Sequence, residues 1–468
     1  MRKIKNGDDI MNVICIMSDT FRFDNLSCCG GKDVKTPNLD AFAEKSLCFT
    51  NYMCSSFPTL PNRIDTYTGK VGFPHFGWGP MPVNLPTMAG ILGDNGYRTQ
   101  IIFDPPNLQK NNWWITRGFH ASHAIHGQEG DLTFLHCNDP VERHLPEEKI
   151  RTETKRMGAY LADIHPWINW ERKTEFDYHC VKTTVEASKW LDLNYKADNM
   201  FLWVDIFDPH EPWDAPDYFV KKFDPDYDGM PMRDPNYGLA AAYTERELKN
   251  MRAQYLAEVS MVDKWIGFLL KKIEDVGWME NTIILFTSDH GFQMGEHGHV
   301  GKGNREKPDD NLWWPMYSQL RHIPLIVYVP GVTGGGVCDA MVQPQDIMPT
   351  LFELLEIKTG YSFEGISFKE QFYDSKAEFG RKYAVSGCNA EDDWKVTPAV
   401  TTKEWAYMSI GADGITPELY NRKLDMAENN NIIDRHPEVA AEMKKALEDF
   451  FESHNCPRDE YMKLAKKI

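Results

Sequence analysis

Four short segments of this 468-residue chain carry side chains able to do chemistry. Two apolar runs end on aspartate. Residues 12–17 lead into Ser18-Asp19-Thr20, and residues 282–287 lead into Ser288-Asp289-His290-Gly291. Carboxylates suit a hard cation such as calcium or magnesium, and an imidazole beside them also admits manganese, iron or zinc. A third run, 200–207, opens onto Asp208-Pro209-His210-Glu211-Pro212. A histidine among prolines either braces a turn or, with Asp208 and Glu211 raising its basicity, donates a proton. The fourth segment is Ser56-Phe57-Pro58-Thr59-Leu60-Pro61-Asn62-Arg63, followed by Thr66-Tyr67-Thr68-Gly69. A Thr-x-Pro-x-Arg string is short and common, so its weight comes from what surrounds it.

The elements that must position these residues follow from hydrophobic periodicity. Near-continuous apolar runs at 12–17, 99–103, 200–207, 282–287 and 324–329 suit strands buried on both faces. Helical periodicity lies between or after them at 38–45, 87–95, 184–194, 245–274 and 345–355. This alternation predicts an α/β fold with a mostly parallel sheet, in which ligands collect at the carboxyl ends of strands. Asp19 and Asp289 stand at such ends, so a metal site is expected there. Past residue 355 the texture changes to short β-like pieces at 383–386 and 405–410, then a helix at 437–454. The expected organisation is a large α/β unit over 1–375 and a smaller carboxy-terminal α+β subdomain over 376–468. The stretch 145–180 is polar and aromatic, with Trp167 and Trp170 close together. It reads as a substrate-shaping insertion, a surface loop or a subunit contact.

Composition narrows the partners. A formal net charge of −18 argues against nucleic acid or an anionic membrane, and makes any anionic substrate depend on local cations or a metal. No apolar run approaches the roughly 20 residues that span a bilayer. The first ten residues do not read as a signal peptide. The ten cysteines include no Cys-x-x-Cys pair, which favours free thiols in a reducing compartment, with the cytoplasm as the expected location. Homo-oligomerisation is left open.

The segment Ser56 to Arg63 resembles the nucleophile segment of the sulfatase family, within the alkaline phosphatase superfamily, with one change. The family places a cysteine two positions before the proline and oxidises it to formylglycine; here that position holds Thr59. The stretch Phe286-Thr287-Ser288-Asp289-His290-Gly291, continuing Gly295-Glu296-His297-Gly298 and Gly301-Lys302, is similar to the family's downstream segment. There an Asp followed by His or Asn binds the divalent cation, and a lysine thirteen residues after the Asp contacts the anionic group. The resemblance therefore implies Asp289 and His290 as metal ligands and Lys302 as the anion contact. Asp19 matches the first of a family Asp pair, with Thr20 in the second slot offering a hydroxyl or leaving the place to water. His210 falls where the family's leaving-group acid stands.

Departures from the pattern bear on mechanism. Many members carry Gly-Lys-Trp-His where this chain reads Phe103-Asp104-Pro105-Pro106-Asn107, which puts Asp104 at the lysine position and Pro106 at the histidine position. Two-metal relatives carry Asp with His four residues later, whereas Asp263 is followed at that distance by Gly267. One cation is implied, and Asp263 reads as a structural hydrogen-bonding residue. Contributions of Asp104, Asn107 and His297 to the site stay open.

Taken together, the resemblance implies an alkaline-phosphatase-like α/β hydrolase acting on a small anionic ester. Its catalytic residues are Thr59 as nucleophile, Arg63, His210 and Lys302. Asp19, Thr20, Thr59, Asp289 and His290 hold one divalent cation: calcium, magnesium or manganese first, zinc or iron as alternatives. One metal and two or three cationic side chains suit a phosphodiester, a phosphonate monoester or a sulfate monoester. A formylglycine hydrate expels sulfate through its second hydroxyl, an exit Thr59 lacks, so phosphorus is placed ahead of sulfate. The rivals are a sulfatase working without formylglycine, a phosphoethanolamine-type transferase, whose relatives carry membrane spans, and an anion-binding pseudoenzyme.

Overall fold

The computed structural model describes residues 11–131, 149, 155–156, 159–304, 312–332, 334–388, 397–409 and 416–456. Its centre is an eight-stranded sheet. The strands in chain order are β1 (Asn12–Ser18), β2 (Leu47–Tyr52), β3 (Arg98–Phe103), β4 (Ala121–Ala124), β5 (Met200–Ile206), β6 (Thr282–Thr287), β7 (Leu325–Tyr328) and β8 (Gly336–Val342). Across the sheet the order is β8-β2-β7-β6-β1-β5-β3-β4. Only β7 runs antiparallel to its neighbours, β6 and β2. The sheet is thus mixed and mostly parallel, as the alternation of strand and helix predicts.

Period-2 alternation explains why the central strands read as continuous apolar runs. Val13, Cys15 and Met17 of β1, Phe201 and Trp203 of β5, and Ile283 and Leu285 of β6 enter one core. The residues between them, Ile14 and Ile16, Leu202 and Val204, Ile284 and Phe286, enter a second core on the opposite face. Each strand has to feed two apolar layers, so neither face carries a polar stripe.

Helices supply those layers. They are α1 (Pro37–Ala43), α2 (Thr59–Thr68), α3 (Met88–Asp94), α4 (His179–Asn194), α5 (Glu245–Asp275), α6 (Ile347–Leu354) and α7 (Pro437–Ser453). The long α5 begins at a capping box in which Thr244 accepts from the Glu247 amide and the Glu247 carboxylate accepts from the Thr244 amide. Its stripe of Met251, Tyr255, Val259, Val262, Ile266, Leu269 and Ile273 packs into the second core. Asp263, on the same helix, accepts from the Leu39 amide at 2.9 Å and from Asn38 Nδ2 at 2.8 Å, which anchors the start of α1. A Cβ on Gly267 would lie 2.3 Å from the Asn38 side chain. Both positions are therefore shaped by the α1–α5 contact. No helix among the described residues is long and apolar enough to cross a membrane.

Four elements in and around the central sheet, β2, β4, β8 and α2, are absent from the sequence reading. Strand β2 interrupts its apolar run with Thr50 and Asn51, whose side chains bond the carbonyls of Cys338 and Asp339 in β8. Edge strand β4, Ala-Ser-His-Ala, has no apolar run to recognise, and β8 carries an aspartate and a bulge. Helix α2 is hidden by Pro58 just before its first residue and Pro61 in its first turn. Beyond the sheet, β9 (Ala384–Ser386), β10 (Ala399–Thr401), β11 (Trp405–Met408) and β12 (Glu418–Asn421) form a small antiparallel sheet against α7. This carboxy-terminal α+β layer reaches the loop before α2 directly, because the Phe57 amide donates to the Gly387 carbonyl at 2.9 Å.

Candidate active site

Three adjacent parallel strands end together. Met17 of β1 is level with Thr287 of β6, and Ser18 is level with Ile206 of β5. The next residues along each strand, Asp19, Asp289 with His290, and the 207–211 turn, therefore share the carboxyl edge of the sheet. Asp19, Asp289 and His290 have no measurable exposure, and one ligand atom from each lies within 4.8 Å of the others. His290 Nε2 is 3.7 Å from Asp19 Oδ1 and 3.6 Å from Asp289 Oδ2.

The 59–63 part of the fourth segment is carried by α2. Thr59 is its first residue, and its Oγ1 lies 3.1 Å from His290 Nε2. Asn62, one turn later, donates from Nδ2 to the Asp289 carbonyl at 2.7 Å, locking the helix to the end of β6. Asp65 accepts from the amides of Ser56 at 2.9 Å and Gly72 at 2.7 Å, and so fixes the loops on both sides of α2. Burial pushes its carboxyl up to about 7 against those hydrogen bonds.

Arg63 is entirely buried and committed to carboxylates. It forks onto Asp205 at 2.6 and 3.0 Å, reaches Asp289 Oδ2 at 2.6 Å and stands 3.2 Å from Asp19 Oδ2. Its charge neutralises and orients the acids around the site. Asp205, missed by sequence reading, is the residue that aims it. A carboxylate inside the β5 apolar run reads as an interruption until its bidentate partner is seen; Trp203 Nε1 also donates to it at 3.1 Å.

The buried acids fit a cation. Burial first, and the neighbouring Asp289 charge second, push Asp19 well above the usual carboxylate range. Its Oδ2 accepts no hydrogen bond, although Arg63 is close by. Burial also pushes His290 down to about 3, the neutral form that ligates metal. The His290 Nδ1–H is directed to the Gly291 carbonyl at 3.0 Å, so Nε2 presents its lone pair to Asp19, Asp289 and Thr59. Thr20 adopts a left-handed backbone with φ of 61°. Its amide donates to Asp289 Oδ1 at 3.0 Å and its hydroxyl to Asp19 Oδ1 at 2.8 Å, so it holds both acids in place.

A second cluster faces the first. Lys302 Nζ and His210 Nε2 are 2.5 Å apart, a contact between residues 92 positions distant in sequence. Glu211 lies 3.3 Å from His210 Nδ1 and 3.9 Å from Lys302 Nζ, and accepts from the Tyr237 hydroxyl. Phe207 stacks on the His210 ring at 4.0 Å. Of the two acids expected beside His210, Glu211 makes the contact; the Asp208 carboxylate is engaged by Gln128 Nε2 at 2.6 Å and the Cys180 amide at 3.3 Å. The positive charge of Lys302 is felt at Asp19 and at His290, which links the two clusters electrostatically.

The remaining candidates have other partners. Asp104 accepts from the Phe207 amide at 2.5 Å and the Thr183 hydroxyl at 2.8 Å, tying the end of β5 to α4. Pro106 and Asn107 lie in a short 3₁₀ turn, Pro106–Gln109. His297 stacks on Tyr317 at 3.7 Å and meets Gln319 Oε1 at 3.2 Å. Part of the 145–180 stretch falls outside the described residues. Within the rest, His165 and Arg172 pair with Asp214, four residues past His210, and line a cavity of about 200 Å³ with Pro212 and Arg233.

Fold and site together define an alkaline-phosphatase-like hydrolase. The Sulfatase family model matches residues 11–357, and a second, "N-sulphoglucosamine sulphohydrolase, C-terminal", matches residues 312–453. The chain belongs to the sulfatase family and is an ester hydrolase. It is 23% identical to arylsulfatase K of Bos taurus, covering 95% of this chain and 82% of that protein. It is 27% identical to an arylsulfatase of Clostridium perfringens, covering 77% and 78% respectively. Among solved structures it is similar to the phosphonate monoester hydrolase of Agrobacterium radiobacter, with a TM-score of 0.73, 21% identity, and 95% and 96% of the two chains covered. Members of the family typically bind a divalent metal.

Proposed function

We propose that this protein hydrolyses a singly charged phosphorus ester, a phosphodiester or a phosphonate monoester, through a covalent ester on Thr59. The observation that carries the reading is the placement of Thr59 Oγ1 beside His290 Nε2, at the buried convergence of Asp19 and Asp289. Those four residues, with Thr20 orienting the acids, would hold one divalent cation. When bound, the cation supplies positive charge that favours the ionised Thr59 hydroxyl and the oxygens of the transferred group.

The chain's own residues do the rest. Thr59 opens a ten-residue helix, so the positive end of the helix dipole lies at the attacking oxygen. Arg63 holds Asp19, Asp205 and Asp289 as one rigid frame, acting on the reaction through the acids it positions. Lys302 binds a non-bridging oxygen. The Lys302–His210 hydrogen bond places a proton between two basic nitrogens, and His210 passes it to the departing alcohol. Water then attacks the Thr59 ester, and the hydroxyl returns to its starting state. The single positive charge of Lys302, with Arg63 already saturated by carboxylates, suits a substrate of one negative charge.

Sulfate ester hydrolysis is the second reading, favoured by relatives named as arylsulfatases. Direct water attack on a threonine sulfate would then replace the formylglycine exit. A turnover panel of aryl phosphodiester, aryl phosphonate, phosphate monoester and sulfate ester separates the two; highest kcat/KM on the sulfate would overturn the phosphorus reading. Cys15, Cys28, Cys29, Cys48, Cys54, Cys180 and Cys338 stand as thiols, which fits a reducing compartment.

A pair of substrates with nitrophenyl and alkyl leaving groups separates His210 from Lys302. Lys302 contacts the transferred group of every substrate, so Lys302→Ala should slow all of them. His210 serves only the leaving oxygen, and general acid help is worth roughly 10²–10⁴-fold on a basic leaving group. His210→Ala is therefore expected to spare nitrophenyl esters far more than alkyl esters. Equal losses on both, read as the ratio of rates, would return His210 to bracing its turn.

A further inference from the structure

Three thiols meet on the second-core side of the sheet, outside the hydrolytic site. Cys28 and Cys29 lie in the 3₁₀ turn Ser27–Cys29, and Cys48 lies near the start of β2. The Sγ of Cys29 is 3.2 Å from that of Cys48 and 3.9 Å from that of Cys28, and all three lie within 4.8 Å of one another. Consecutive side chains ordinarily diverge; these two converge on a third from another strand.

The turn is built to hold them. Ser27 donates from Oγ to Asp40 Oδ2 at 2.7 Å and from its amide to Thr36 Oγ1 at 3.0 Å, and accepts from the Thr36 amide at 2.9 Å. Gly30 ends the turn at φ of 92°, a left-handed conformation suited to glycine. Gly31 then folds back so tightly that a Cβ would lie 2.6 Å from the Asp24 carbonyl. The backbone spends two glycines and a serine–threonine–aspartate network on the placement of the two cysteines. Burial grades outward, from buried Cys48 through half-buried Cys29 to exposed Cys28, which leaves a path for an ion from solvent.

From this geometry we infer that Cys28, Cys29 and Cys48 form a second metal site, which takes a thiophilic divalent cation of the zinc type. Zinc–sulfur bonds of about 2.3 Å in a tetrahedral array set the sulfurs about 3.8 Å apart, between the Cys29–Cys48 and Cys28–Cys29 separations of 3.2 and 3.9 Å. Hard cations such as calcium and magnesium, which take oxygen ligands, are excluded by the donor set. Three sulfur–metal bonds form and three thiol protons pass to solvent, with no change of oxidation state. A disulfide between Cys29 and Cys48 would require an oxidant and would leave the convergence of Cys28 without purpose.

Cadmium reports the site without interference from oxygen ligands, through its ultraviolet thiolate charge-transfer absorption. Titration of the full-length protein, kept reduced with a phosphine, is expected to saturate at one equivalent. Iodoacetamide labelling of Cys28 and Cys29, read by peptide mass spectrometry, should fall in parallel. Cys28→Ser, at an exposed position, should weaken cadmium binding about tenfold or more while leaving ester hydrolysis unchanged; Cys29→Ser should act likewise. Absorption that fails to develop, or that persists undiminished in folded Cys28→Ser protein, would overturn the site. So would recovery of a Cys29–Cys48 disulfide under the reducing conditions of the titration.

Discussion

Thr59→Ala is expected to lower kcat on an aryl phosphodiester by about four orders of magnitude, in the range seen when a nucleophile acting as part of a unit is removed. The argument is geometric. Thr59 Oγ1 is the hydroxyl held at the junction of Asp19, Asp289 and His290, at the start of a helix pinned to Asp289 by Asn62. Loss of the side chain removes the attacking atom and leaves the carboxylates and imidazole in place, so metal affinity should change far less than rate. Thr59→Ser restores the oxygen and should recover much of the activity. Alanine activity within about tenfold of the parent would exclude covalent catalysis at this residue.

Removal of the cation should have the next largest effect. Asp19 and Asp289 are buried together, and Asp19 Oδ2, 3.2 Å from Arg63, accepts no hydrogen bond. Chelation is expected to abolish turnover, a loss of about 10³-fold or more, since Lewis acid stabilisation is worth several kcal/mol. One equivalent of a divalent cation should restore it. The count is best made with calcium or magnesium in Cys28→Ser protein, so that the thiol site, which takes no hard cation, does not contribute. Two tightly held ions in that variant would contradict a single-cation centre; Asp289→Asn binding metal as tightly as the parent would remove Asp289 from the ligand set.

Much of this site was legible because parallel strands place consecutive chemistry at one edge. Apolar runs ending on Asp19 and Asp289 predicted their convergence, and the register of β1 with β5 and β6 delivers it. Asp263 read as structural through Gly267, and both prove to be shaped by Asn38. Three features were hidden for physical reasons. Asp205 gives no signal of its own inside a buried strand, because its reason for being there is a guanidinium on another element. The Lys302–His210 contact joins two loops whose approach depends on the whole sheet. The thiol cluster joins a turn and a strand whose cysteines have no spacing signature, since Cys28 and Cys48 meet through tertiary packing alone.

Arg63 shows how burial changes a role. Sequence reading set it beside the nucleophile as a catalytic cation, and it is indeed close: Nη1 donates to the Thr59 carbonyl at 3.0 Å. Its remaining donors, however, are taken by Asp205 and Asp289. With one partner removed, a buried pair of this kind costs about 3–5 kcal/mol in stability. Loss of activity on changing Arg63 would thus report a collapsed frame as readily as a missing charge.

The central claim is that the transferred group rests on Thr59 between two displacements. Stereochemistry at phosphorus tests it without requiring the intermediate to accumulate. With a substrate diester of defined configuration at an isotopically or sulfur-substituted phosphorus, two in-line displacements predict net retention in the product. Net inversion would mean a single direct attack by water and would contradict the account.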